Sequence, residues 1–403
     1  MVIAPRPSCS VVYVSYDGLL EPLGASQVVP PVEGLAARGF PMSVLSFEKP
    51  GDLDDGGAVE DMRARLAASG ISWLPLRYHR VPTLPATAFD IAMAVRHLRR
   101  TKPTLVHARS YVAAAMGSLG FRDGGGKLLF DMRGFWVDER IEGQGWDPTG
   151  LRAREGRRVE QALLNRADHV VHLTEAARAI MERRLGSLGR SRHTTIPTCV
   201  DLERFCVPTD RSELRRRLGI RPEGPVLIHA GTLGARYQID RTLDIGRAFV
   251  EASGGTFLVV TRDTEAVSAR ARRMDVPATV RSATPGEMPD WVGAADFGLA
   301  LVAPGPAGVA SAPTKVGEYL AAGLGVVATA VGDLEDQFAR ARHSRVIGPG
   351  ATPQEVVAWM MSGGPDPARA AESRDLARRH YGLSMALDRY EAIYRALGVL
   401  PCA

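Results

Sequence analysis

Residues 311–333, SAPTKVGEYLAAGLGVVATAVGD, place a helix-starting proline, a lysine and a glutamate within a few positions of one another. Pro313 fits the first turn of a helix, so the N–H groups that follow it, from Thr314 on, are left free to receive a diphosphate. Lys315 adds a full positive charge there. Glu318 follows about one turn later, where it can accept hydrogen bonds from ribose hydroxyls while the phosphates sit at the helix end. Gly323 and Gly325 close the helix and lead into a buried strand.

A second charged stretch, FDMRGFWVDERIEGQGW, gathers Asp131, Arg133, Asp138, Glu139 and Arg140 with Trp136 and Trp146. Such charge density beside aromatics that can stack on a sugar suits a binding pocket; an internal Asp131–Arg133 salt bridge is the alternative. His107 and Arg109, in VHARSY, end the preceding strand and are expected to abut this loop, although a lone strand-end histidine is more often structural. Near the start, SYDGLLEPLGASQ sets Gly18 and Gly24 around Asp17 and Glu21, so backbone N–H groups could approach a phosphate or sugar. The loop lacks both GxGxxG and GxxxxGK[ST], which disfavours a dinucleotide or P-loop site and leaves a plain turn as the alternative. Pro30 and Pro31 predict a late start or a kink in the helix that follows.

Short apolar runs alternating with helical periods position these residues. Strands are expected at residues 11–15, 42–47, 71–76, 105–108, 127–132 and 169–173, then again at 226–230, 257–261, 297–301, 326–330 and 345–347. The pattern is that of parallel sheets built from βαβ units. Helical spacing is clear in residues 89–100, where Ile91, Val95 and Leu98 share a face. With 403 residues, two domains are expected. Pro197, Pro208 and Pro222 put a hinge near residues 200–210. The expected division is an amino-terminal Rossmann-like domain over 1–205, a carboxyl-terminal one over 206–382, and a last helix over 383–403 packing back on the first domain. Open α/β sheets bind ligands at the carboxyl ends of their strands, so two doubly wound domains facing a cleft, closing on their ligand, are expected.

Hydrophobic residues at 45% and charged residues at 24% describe a globular chain. No apolar run approaches the ~18 residues needed to cross a bilayer, and the start lacks the features of a signal peptide, so a cytoplasmic address is expected. Cys9, Cys199, Cys206 and Cys402 fit neither a CxxC metal site nor a disulfide framework and are expected as free thiols. The net charge is +5. The basic stretches at residues 96–102, 152–158 and 211–217 lie in helical patterns without interleaved aromatics, which argues against nucleic acid and leaves peripheral attraction to anionic lipid as the most that membranes would offer.

The block PTKVGEYLAAGLGVVAT, the hinge IPTCVDLERF, the opening SYDGLLEPLGASQVVPPVEGLAARG and the segment FDMRGFW together resemble family 4 glycosyltransferases, retaining enzymes of the GT-B fold. The resemblance runs over nearly the whole chain. It implies a nucleoside diphosphate sugar bound mainly by the second domain and an acceptor bound mainly by the first. Glu318 matches the second glutamate of the family's Glu-x7-Glu motif, whereas the first falls at Ala310. The arginine and lysine that grip the diphosphate in the family are replaced, in GTLGARYQ, by Thr232 and Tyr237, so Arg236, Arg262 or Lys315 must supply the charge. Arg133 stands where the family has a histidine.

The expected activity is therefore transfer of a sugar from a nucleoside diphosphate sugar to a small-molecule, glycan or natural-product acceptor. Arg133, Asp131 and Lys315 are the candidate catalytic residues. Glu318, Thr314, Pro313, Gly231, Thr232, Arg236, Arg262 and Gly24 are candidates for the donor, and Asp17, Arg109, Trp136, Asp138 and Glu139 for the acceptor. Charge grows on the leaving diphosphate, which needs preorganised donors more than a strong base. No metal and no cofactor is expected. A pseudo-glycosyltransferase, a sugar-nucleotide 2-epimerase and a noncatalytic sugar-nucleotide binding subunit are the alternatives.

Overall fold

A computed structural model describes residues 10–121, 125–185, 192–363, 366 and 368–402. The chain forms two compact units, Met1–Ile196 with Ala386–Ala403, and Pro197–Met385. Residues 197–205 lie with the second unit because Val200 and Phe205 are buried in its core. The two ends of that unit pair with each other: Val200 N–H donates to the Tyr381 carbonyl (2.7 Å) and Leu383 N–H to the Val200 carbonyl (3.0 Å).

The first unit is built on a seven-stranded sheet. Its strands are β1 (Val11–Ser15), β2 (Met42–Glu48), β3 (Ser72–Arg77), β4 (Leu105–Arg109), β5 (Lys127–Met132), β6 (His169–His172) and β7 (His193–Thr195). Their order is β3-β2-β1-β4-β5-β6-β7, and every pair is parallel. β1 and β4 are buried along their whole length, as expected for central strands covered on both faces. Pro30 and Pro31 sit in the first turn of the helix Val29–Ala37, which follows a separate short helix, Pro22–Gln27. There each proline costs no intrahelical bond.

The second unit holds a six-stranded parallel sheet of β8 (Val226–Ala230), β9 (Thr256–Val260), β10 (Ala278–Arg281), β11 (Phe297–Ala300), β12 (Gly325–Thr329) and β13 (Arg345–Ile347), in the order β10-β9-β8-β11-β12-β13. Leu227, Phe257, Leu299 and Val327 feed the core on one face, Ile228, Leu258, Ala300 and Val326 that on the other. Strand order reverses between β1 and β4 and between β8 and β11. Doubly wound sheets open a crevice for ligands at that point, beyond the carboxyl ends of the strands. Cys199 is a buried free thiol, and Cys206 and Cys402 are exposed ones; Cys9 lies outside the described residues.

Candidate functional site

β8 ends at Ala230, and the chain turns at Gly231 with φ +101°, a conformation that side chains rarely adopt. A turn of 3-10 helix, Ala235–Tyr237, and the helix Ile239–Ser253 follow. This loop is tied to the end of β11, since Ala303 N–H donates to the Arg236 carbonyl (2.7 Å) and the Gln238 amide to the Val302 carbonyl (2.8 Å). Thr329, at the end of β12, completes the tie by accepting from Val302 N–H (2.8 Å) and donating to its carbonyl (2.7 Å). Three strand ends are thus held in one arrangement.

The helix Thr314–Ala321 points its amino-terminal end into this region. Pro313 is its cap residue rather than its first helical residue. Tyr319 anchors the helix: its hydroxyl accepts from Ala230 N–H (2.7 Å), and its ring lies against Gly298, where a Cβ would come within 2.2 Å of it. That anchoring directs Lys315 toward the β8 end. Its Nζ stands 3.6 Å from the position a Cβ would take at Gly231, 4.9 Å from the centre of the Tyr237 ring, and 3.3 Å from Nε2 of His229. The sequence therefore places Tyr237 as a ring under the ammonium, a cation–π contact, where the family pattern would have put a cation.

Electrostatics here are set by desolvation. Burial lowers the Lys315 ammonium to about 7 against the pull of Glu318. Burial raises the Glu318 carboxyl to about 7, opposed by Lys315 and Arg204. His229 is held well below its usual range by burial and then by the Lys315 charge, so the ring is neutral, with Nε2 between the Lys315 ammonium and the Thr232 carbonyl (3.4 Å). The first-turn N–H groups of a helix have no partner within it. An ammonium, those N–H groups and a carboxylate one turn away make a site for an anion joined to a hydroxylated group. Thr232 and Arg236 line the same loop and are exposed; Arg262 is exposed two residues beyond β9. Among the described residues no group of three or more His, Cys, Asp or Glu could hold a metal ion.

In the first unit Asp131, Arg133 and His107 are joined, and two residues absent from the expected set complete the cluster. Asp131 is fully buried; Arg133 reaches its two oxygens at 3.3 and 3.4 Å, and His107 Nε2 lies 3.6 Å away. From the last helix, Leu383–Ala396, the Tyr390 hydroxyl donates to Asp131 (3.2 Å) and the Tyr394 hydroxyl meets His107 Nδ1 at 2.8 Å. Burial alone would raise the Asp131 carboxyl, but Arg133 and His107 hold it well below the usual carboxylate range. The salt-bridge alternative is thus realised for Asp131: it is an anchor for Arg133. Period-3.6 spacing marks Tyr390 as a core residue, and its hydroxyl is what spacing leaves out.

The remaining candidates separate. Arg109 Nε is 3.4 Å from Asp17 at the β1/β4 reversal, so these two strand ends do meet. Asp138 is buried and paired with Arg157 (2.8 Å), and Trp136 packs between Tyr111, Trp146 and the Arg140 guanidinium. Glu139 approaches Gly134, where a Cβ would meet its carboxylate at 2.6 Å. Gly24, expected to serve the donor, lies in the first unit, and a Cβ there would meet the Gly18 carbonyl oxygen at 2.0 Å. Its lack of a side chain lets the helix Pro22–Gln27 cross that loop. Glu48 holds the same loop, its carboxylate accepting from Leu19 and Leu20 N–H at 2.9 and 3.2 Å.

Comparison with known proteins adds the following. Residues 32–204 match the family model described as Glycosyltransferase Family 4. No curated protein matches the chain. Among solved structures, sucrose-phosphate synthase from Thermosynechococcus elongatus superposes with a TM-score of 0.72 at 17% identity, covering 96% of this chain and 99% of the other. The Anabaena HepE protein in complex with UDP and glucose gives a TM-score of 0.71 at 16% identity, covering 97% and 100%. WaaG, a glycosyltransferase involved in lipopolysaccharide biosynthesis, gives 0.66 at 17%, covering 95% and 99%.

Proposed function

We propose that this chain, whose residues 32–204 match the Glycosyltransferase Family 4 model and whose fold resembles that of solved glycosyltransferases, transfers a sugar from a nucleoside diphosphate sugar to an acceptor hydroxyl with retention of configuration. The observation that carries the proposal is the placement of the Lys315 ammonium at the β8 end, on the helix that also carries Glu318. The diphosphate lies against Lys315 and the first-turn N–H groups, and Glu318 accepts hydrogen bonds from the ribose. As the bond to the sugar breaks, negative charge grows on the departing diphosphate, and the fixed ammonium and N–H dipoles stabilise it without reorganising. The acceptor hydroxyl attacks from the side of the leaving group and gives its proton to a diphosphate oxygen. Arg133, held by Asp131, serves the acceptor step. HepE has been crystallised with UDP and with UDP-glucose, which makes uridine diphosphate sugars the first donors to try.

Ala310, buried where the family's first motif glutamate would fall, favours a second possibility: a subunit that binds sugar nucleotides without transferring them. Incubation with UDP-, GDP-, ADP- and TDP-sugars and a panel of hydroxylated acceptors separates the two. Nucleoside diphosphate released together with a glycosylated acceptor supports transfer. Saturable binding with no product supports the subunit.

A further inference from the structure

Residues 303–313, APGPAGVASAP, lead from the β11 end to Pro313, the cap of the helix that carries Lys315. The segment is tied to strand ends on both sides. Ala303 N–H donates to the Arg236 carbonyl (2.7 Å) in the loop after β8, and the Gly308 carbonyl accepts from Gly332 N–H (3.0 Å) beyond β12. Because the segment runs directly into the first turn of the helix, a group hanging from a phosphate held at that turn lies against it.

Its chemistry is one-sided. Among its eleven residues Ser311 has the single side chain with a polar atom, and the prolines at 304, 306 and 313 have no N–H to offer. Other backbone groups are engaged within the unit: Gly308 N–H on the Gly305 carbonyl (2.9 Å), Ser311 N–H on the Gly308 carbonyl (3.0 Å), and the Ala312 carbonyl on the Thr198 hydroxyl (3.0 Å). Ala303, Pro304, Pro306, Val309 and Ala312, the apolar members, keep exposed or half-buried surface. Buried Ala310 stands where the family motif has a glutamate, so a methyl replaces a carboxylate that could accept from sugar hydroxyls.

We infer that the donor sugar is a deoxyhexose, a hexose with hydrogen in place of at least one hydroxyl, and that this segment selects it. The inference rests on the reading of the Lys315 helix as a nucleoside diphosphate site. A hydroxyl pressed against the segment loses its water without gaining a partner, whereas a deoxy position sets apolar surface on apolar surface. The transfer is unchanged: the anomeric carbon leaves the diphosphate oxygen for the acceptor oxygen, whose proton passes to the diphosphate. A hydroxyl missing elsewhere on the ring takes no part.

Calorimetric titration of the full chain with UDP, UDP-glucose and the 3-, 4- and 6-deoxy analogues of UDP-glucose tests the inference, or the matching series on whichever of the four nucleoside diphosphates binds. At least one deoxy analogue should bind about 10-fold to 100-fold more tightly than the glucose donor. Ala310→Glu should shift the affinity ratio toward glucose. Ala310→Ser, which adds one hydroxyl and little volume, should shift it the same way by a smaller factor, and thermal midpoints identify which variant stays folded. Tighter binding of the glucose donor than of all three analogues by wild type would overturn the inference while leaving the nucleotide site intact. So would a ratio unchanged in a folded variant. Absence of binding by UDP, GDP, ADP and TDP alike would instead remove the nucleotide site, and the inference with it.

Discussion

Nζ of Lys315 stands 3.3 Å from Nε2 of His229, a buried ring whose neutrality is enforced in part by that same ammonium. The pair couples the end of a core strand to the start of the helix proposed to bind phosphate. His229 orients the ammonium without competing for its charge, and the diphosphate would supply the counter-charge that burial withholds.

A pH dependence follows. In the free protein Lys315 and Glu318 both titrate at about 7. As pH rises through about 7 the lysine loses the proton that attracts phosphate, so affinity falls on the alkaline side. As pH falls through about 7 the glutamate gains a proton and stops accepting from ribose, so affinity falls on the acid side. Nucleotide affinity measured from about pH 5 to about pH 9 should therefore trace a bell, with apparent pKa values belonging to the pair. Lys315→Arg, which stays charged throughout this range, should remove the alkaline limb. An unchanged alkaline limb in that variant would assign the loss to another group.

Arg133 and Asp131 should behave differently from each other. Arg133→Ala is expected to lower turnover on a verified acceptor while leaving donor affinity within about twofold, because its unit is not the one proposed to bind the nucleotide. Asp131→Ala removes the partner of Arg133 and of the Tyr390 hydroxyl in a fully buried position, at a cost of about 3–5 kcal/mol. The folded-state pKa of Asp131 is depressed. Its contribution to stability is therefore fully present above the unfolded value of about 3.9 and is lost as pH falls through the folded value. Denaturant unfolding of wild type and Asp131→Asn should show a gap that narrows in acid.

Gly24→Ala should act on stability. The new Cβ would meet backbone, the Gly18 carbonyl 2.0 Å away, and backbone cannot rotate aside. A loss of about 1–3 kcal/mol or more is expected, read as a lower thermal midpoint, with nucleotide affinity of the surviving folded protein intact. A selective loss of affinity at unchanged stability would instead assign Gly24 to the donor site.

Much of this architecture is legible from local pattern. The strands announce themselves as short apolar runs with helical periods between them, and the rule that ligands gather at strand carboxyl ends leads directly to Gly231, Asp17, Arg109 and the loop after β5. Asp131 and Arg133, two positions apart on an extended segment, point to the same side, so their pairing is foreseeable too. What local pattern withholds is distance along the chain. Asp138 is paired with Arg157 and Asp131 with Tyr390, partners that only the folded sheet and the returning last helix bring together. His229 carries the one visible hint of its role, a titratable residue in the otherwise apolar run VLIHA. Arg204 lies in the hinge segment IPTCVDLERF, where nothing in the local pattern marks it, yet it contributes to the field at Glu318.

The central claim is that Glu318 reads the ribose of a nucleoside diphosphate whose phosphates lie at Lys315. Calorimetric titration of wild type and Glu318→Ala with uridine diphosphate, or with whichever of the four nucleoside diphosphates binds, and then with its 2′,3′-dideoxy analogue, tests it directly. Hydrogen bonds to a charged acceptor contribute about 1.5–3 kcal/mol, so the variant should bind the normal nucleotide about 10-fold to 150-fold more weakly. Wild type and variant should bind the dideoxy analogue almost equally. Equal losses for both ligands, or wild-type affinity in the variant, would contradict the assignment of Glu318 to the ribose.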